Sequence, residues 1–170
     1  LFFNADDKNP VAAHKDIEDA DQTVTVEAPE ITTNAVNAAD GTKFLEAQYS
    51  VKIKDTVSYE KVVEGHTYLL TGKVFDKTTG EFLKDTAGND ITGTTTFTPT
   101  AKTGTVDVEF IFDASELYGH TLVIFEKLSY RGTVLTVHED DADANQTVKV
   151  YNPEIGTTAI DGEGTGKSVD

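Results

Sequence analysis

Two stretches near opposite ends of the chain are copies of one another, which limits what lies between them to a unit of a tandem array. Residues 14–35 read HKDIEDADQTVTVEAPEITTNA and residues 138–159 read HEDDADANQTVKVYNPEIGTTA. They align without a gap at an offset of 124, with 13 of 22 positions identical. His14 answers to His138, Gln22 to Gln146, Pro29 to Pro153 and Thr33 to Thr157. One full period is therefore present, between overhangs. Residues 1–28 read as the tail of a preceding repeat, 29–151 as one complete domain and 152–170 as the start of the next. The chain begins at Leu1 and contains no Met, which reads as a piece of a longer, processed polypeptide.

Within the period the hydrophobic pattern has a period of two. In YSVKIKDTV (49–57), Val51, Ile53, Asp55, Val57 and then Tyr59 share one face. Segments 66–75, 93–99, 104–113, 120–128, 132–138 and 146–151 follow at similar spacing. Thr79-Gly80, Gly88-Asn89 and Arg131-Gly132 mark turns between them. ASEL at 114–117 has room for a single helical turn. Seven or eight short strands of this kind predict an all-β, immunoglobulin-like sandwich. The aromatic residues Phe44, Tyr49, Tyr68, Phe75, Phe110, Phe112 and Phe125 are expected in its core. Each joint between repeats is a few residues long and carries a proline, which stiffens it and predicts a rod.

Charge and composition exclude several functions. With 30 acidic residues against 14 basic ones, the net charge is −16, the wrong sign for a nucleic-acid partner. Hydrophobic residues make up 38% of the chain, enough for a core, yet no run approaches the roughly 20 apolar residues of a membrane span. There are no cysteines, so a secreted form has to be stabilised without disulfides.

The alternation also aims polar side chains inward, because residues two apart on a strand share a face. Asp55 lies in line with Val51, Ile53 and Val57. Glu126 lies in line with Leu122, Ile124 and Leu128, and Gln146 with Val148 and Val150. Thr33 falls between Ile31 and Ala35. His138 is less determined, sharing its face with both Val134 and Thr136. Isolated buried carboxylates are costly, so two of them with a His, a Thr hydroxyl and a Gln amide are expected to form one mutually satisfied cluster. In such a cluster a His base can activate the Thr hydroxyl, and a neutral carboxylic acid can polarise the amide. The product is an ester between Thr33 and Gln146, with one ammonia released.

Four markers carry a resemblance to a known family: Thr33 in the PEIxT segment, KDTVSYE from Lys54 to Glu60, VIFE ending at Glu126, and HEDxxxxxQTV from His138 to Val148. Over 29–151 the chain resembles the Thr–Gln ester-bond domains (VaFE repeats) of Gram-positive surface adhesins. The resemblance implies Thr33 and Gln146 as crosslink partners, with Asp55, Glu126 and His138 supporting the reaction. In that reading His138 assists proton transfer and the two carboxyls share a proton near the amide. Thr32 stands beside Thr33, and the gapless repeat alignment favours Thr33. The outer half-sites His14, Gln22 and Thr157 lack their complements and are expected to be unreacted.

The resemblance further implies an extracellular stalk module, anchored to the cell wall through a region outside this sequence. Its partners would be adjacent repeats, with a host receptor bound by another domain and no membrane insertion. No metal or other cofactor is called for, and a site that reacts once is not an enzyme. Three other functions fit a sandwich of this composition: a Lys–Asn isopeptide stalk domain, a ligand-binding adhesin module, and a hydrolase using His138 with Asp55 and Glu126. The acidic run EDDADAN (139–145) lacks the glycine and closing glutamate of an EF-hand and reads as a solvated turn.

Overall fold

Segments rich in β-branched and aromatic residues form strands in the computed structural model, which describes residues 27–151 together with 155 and 156. In chain order they are β1 (Glu30–Asn37), β2 (Phe44–Leu45), β3 (Val51–Glu60), β4 (Tyr68–Asp76), β5 (Glu81–Phe82), β6 (Thr92–Phe97), β7 (Gly104–Phe112), β8 (Thr121–Tyr130), β9 (Thr133–His138) and β10 (Thr147–Val150). No helix occurs among the described residues, so the chain is all-β there, and ASEL makes only a turn closed by Leu117 N–H to the carbonyl of Ala114. His14, Gln22 and Thr157 lie outside the described residues.

Two sheets form the sandwich. One has the order β1-β3-β7; the other runs β2-β10-β8-β4-β5, with β6 added beside β4 and β9 beside β8. All pairings are antiparallel except β10 with β2. The β8–β9 hairpin turns through Arg131 (φ 49°) and Gly132 (φ 81°), a pair of positive φ values that matches the twist of the flanking strands. Ile53, Val57, Leu70, Phe110, Leu122, Ile124, Leu128 and Val148 are buried between the sheets.

Two expectations need correcting. Val134 does not share a face with His138. A bulge in β9 opposite Leu128 and Ser129 inserts Leu135 between the pairs Ser129–Val134 and Leu128–Thr136, so the alternation changes phase there. Val134 is left exposed, while Thr136 lies opposite Leu128 on the core side. Nor are all the aromatics core residues. Tyr68, Phe110 and Phe112 are buried, but Phe44 and Tyr49 are exposed. Phe75 and Phe125 are only part-buried and stack at 5.1 Å beside the exposed Phe82, on the face of the large sheet turned away from the core.

Candidate functional site

Residues directly opposite one another in an antiparallel ladder project to the same face. In the small sheet, Ala35, Asp55 and Val108 form such a row across β1, β3 and β7, and all three are completely buried. In the large sheet, Gly72, Glu126 and His138 form a row across β4, β8 and β9. The two rows meet in the core, where the Asp55 and Glu126 carboxyls touch. Small residues make this possible. A Cβ on Gly72 would lie 2.2 Å from Glu126 Oε1 and 2.5 Å from Phe110 Cζ.

Thr33 is one pleat along β1 from Ala35 and is buried, opposite Val57. Thr32 is exposed, since the alternation turns it to the other face. Gln146 is fully buried just before β10, and its amide is held at every atom. Nε2 donates to the carbonyls of Ile124 (2.7 Å) and His138 (2.9 Å), while Oε1 accepts from the Asp140 N–H (3.2 Å). The Thr33 strand and the Gln146 segment belong to different sheets and are joined by Ala35 N–H donating to the Asn145 carbonyl (2.8 Å). His138 bridges them as well. Its Nδ1 faces the Ile31 carbonyl (3.2 Å), and its own carbonyl receives the Gln146 amide.

With both acids ionised, five buried oxygens among the described residues lack a hydrogen-bond partner of good geometry: Thr33 Oγ1 and both carboxyl oxygens of Asp55 and of Glu126. Burial pushes Asp55 up to about 7, opposed by the Asn34 backbone N–H, the Lys43 charge, the Thr33 hydroxyl and His138. The Thr33 hydroxyl is thus close enough to favour the ionised form without reaching good hydrogen-bond geometry. Glu126 is pushed up to about 9, by burial first and then by the neighbouring Asp55 charge. An acid pair of this kind holds a proton at neutral pH because two adjacent carboxylates cannot both ionise in an apolar core.

The structure adds three residues to the site. Asp143 Oδ2 lies 3.1 Å from His138 Nε2, and the Asn145 N–H bonded to its other oxygen helps to hold this carboxylate below the usual range. A carboxylate and a carbonyl only accept, so each ring nitrogen of His138 faces an acceptor. Position 143 is Asp in both copies of the repeat, answering to Asp19, and that identity was the available signal. Lys43 and Gly72 fall outside the duplicated segment and carried none. The acidic run folds back on itself, with Asp140 and Asp143 side chains accepting the backbone N–H groups of Ala142 and Asn145.

The profile of the family described as "T-Q ester bond containing domain" matches residues 3–26 and 29–150. Among solved structures the chain is similar to a bacterial adhesin from Mobiluncus mulieris containing intramolecular disulfide, isopeptide and ester bond cross-links. The TM-score is 0.63 at 19% identity, over 75% of this chain and 58% of that one. A second crystal form of that adhesin matches at the same TM-score with 18% identity and the same coverage. At these identities the likeness is one of fold, and the chain spans a little under three fifths of the adhesin's length. No curated protein matches the sequence significantly.

Proposed function

The chain belongs to the T-Q ester bond containing domain family, and from that premise we propose that it is a stalk unit of a bacterial surface adhesin that locks itself once through a Thr33–Gln146 ester. The observation that carries this reading is the fully buried Asp55–Glu126 acid pair, with the buried Thr33 hydroxyl beside Asp55. Two adjacent carboxyls in an apolar core are costly, and such perturbed acids cluster at sites of chemistry. This pair lies at the junction where the Gln146 amide is immobilised.

The reaction balances without an external reagent. The ionised Asp55 carboxylate takes the Thr33 hydroxyl proton, and Thr33 Oγ1 bonds to Gln146 Cδ. Negative charge developing on Oε1 is stabilised by the Asp140 N–H. The Cδ–Nε2 bond then breaks, and the nitrogen leaves as ammonia with a proton from the acid pair or the imidazole. His138, held between the Ile31 carbonyl and the Asp143 carboxylate, is placed to assist this proton transfer.

Nothing is turned over, so each domain reacts once and is not an enzyme. Its neighbours are repeats of the same chain, and a host receptor is bound by another domain. Anchoring to the cell wall, on the outside of a Gram-positive cell, belongs to other parts of the protein. A Lys–Asn contact does exist, Lys43 Nζ to Asn34 Oδ1 at 3.0 Å, but it does not favour an isopeptide. Asn34 is exposed and the ammonium is spread over three oxygens.

Intact mass tests the reading. The wild-type protein should lack one ammonia, Thr33→Ala and Gln146→Ala should show their full calculated masses, and Asn34→Ala should lose ammonia as the wild type does. Hydroxylamine should open the bond, since it attacks esters and spares isopeptides. Full mass in folded wild-type protein would overturn the assignment.

A further inference from the structure

We propose that Lys43 is a positioning residue for the crosslink, an ammonium clamp that holds the Thr33 strand against the Gln146 segment before the ester exists. The inference rests on the ester reading above and deepens it.

Lys43 lies in the connection between β1 and β2. Its Nζ reaches Ala35 O (2.5 Å), Asn145 O (2.7 Å) and Asn34 Oδ1 (3.0 Å). An ammonium has three N–H donors, and here each has an acceptor. Ala35 is two residues beyond Thr33 on the same face of β1, and Asn145 immediately precedes Gln146. The two carbonyls gripped by one cation therefore flank the two reacting side chains, one on β1 and one in the segment leading into β10.

Apart from the His138 bridge, little else joins the strands at this point. Among the described residues one backbone hydrogen bond links them, Ala35 N–H to Asn145 O. The Lys43 carbonyl accepts from the Lys149 N–H (2.8 Å), which ties the clamp's own backbone to β10. Two carbonyl oxygens converging on one point repel each other unless a cation sits between them, and the ammonium supplies it. Partial burial holds the Lys43 amine below the usual lysine range, and the fields of Asp55 and Asp143 oppose that shift.

Such a clamp matters most in the unreacted fold. A displacement of about 1 Å can cost a positioned reaction roughly a hundredfold, whereas a finished ester holds the strands without help. Lys43 also sets the charge that Asp55 feels. Besides Lys43, that carboxyl is faced by Glu126, the Thr33 hydroxyl, the Asn34 N–H and His138.

The test follows ester formation in freshly synthesised full-length protein by timed intact mass and denaturing-gel mobility, across a range of pH. Lys43→Met should slow ammonia loss by roughly ten- to a hundredfold. It should also move the low-pH limb of the rate profile upward, because Asp55 would lose a cation that favours its ionisation. Lys43→Arg should recover part of the rate and should keep the wild-type limb. Lys43→Met protein that has finally crosslinked should melt close to wild type. A Lys43→Met rate and profile equal to wild type would sink the clamp. If Lys43→Met fails to fold, Lys43→Arg still decides, since a shifted limb in a charge-retaining variant contradicts the proposal. Wild-type protein that never loses ammonia would instead remove the ester reading itself.

Discussion

Gly72 and Glu126 face each other across the β4–β8 ladder, and the Glu126 carboxyl fills the volume that a side chain at position 72 would need. An added methyl meets Oε1 at 2.2 Å and the Phe110 ring at 2.5 Å, so both the acid and the ring would have to move. Gly72→Ala should therefore displace the carboxyl from Asp55. The expected outcome is a folded protein, destabilised by about 1–3 kcal/mol as overpacked cores are, in which much of the population keeps its ammonia. Urea melts and intact mass read the two effects separately. Gly80→Ala is the contrast. Its φ of 78° makes the substitution strained, but nothing lies within 4 Å of the added methyl, so crosslinking should be complete.

That relationship also marks how far the chain could be read without coordinates. Asp55 is legible because Val51, Ile53, Val57 and Tyr59 alternate with polar residues around it, and Glu126 because Leu122, Ile124 and Leu128 share its side of β8, although Val123 and Phe125 make the other side apolar too. His138 was ambiguous because a bulge at Leu135 shifts the phase of β9, and bulges leave no trace in hydrophobic pattern alone. Phe44, Phe75 and Phe125 look like core residues by composition, yet their positions in the pleat turn them outward or to the strand edge. Lys43 and Gly72 act through what lies across from them in space, one bridging two sheets and the other leaving a void. Neither property belongs to a local sequence window.

Stability should fall as pH rises when the crosslink is absent. In the unfolded chain both carboxyls ionise near pH 4. In the fold Asp55 keeps its proton to about 7 and Glu126 to about 9. Between those limits the native state binds more protons than the unfolded one, so this contribution is full below about pH 4 and lost through the folded values. Thr33→Ala, which cannot form the ester, should show this decline in urea midpoints from pH 4 to 9. Adding Asp55→Asn and Glu126→Gln should flatten it. A Thr33→Ala protein equally stable across that range would mean that the acid pair is not protonated as described.

The same pair shapes the rate of bond formation. The reaction uses Asp55 ionised and Glu126 neutral, a state most populated between about 7 and about 9. Crosslinking of newly made protein should follow a bell with limbs near those values. Asp143→Asn removes the anionic partner of His138 Nε2 and should lower the plateau by roughly a hundredfold, as expected for loss of a placed proton-transfer group. Timed mass spectra at several pH values check both. A monotonic profile would reassign the base.

Mechanical behaviour gives the last outcome. Thr33 and Gln146 are 113 positions apart, on β1 and just before β10, so an ester between them encloses nearly the whole sandwich. Closing a loop of ~100 residues stabilises by roughly 4–5 kcal/mol in the chain-entropy account. Under load the difference is larger in kind, because tension entering before Thr33 leaves after Gln146 through covalent bonds and never crosses the hydrogen-bonded ladders. Pulled from its ends in a force-extension experiment, Thr33→Ala should unfold and release about 400 Å of chain between those residues, at ~3.5 Å per residue. The wild-type domain should show no such step until the pulling geometry itself fails, and hydroxylamine treatment should restore it. An unfolding step of that length in untreated, ammonia-depleted protein would show that the ester does not carry the load.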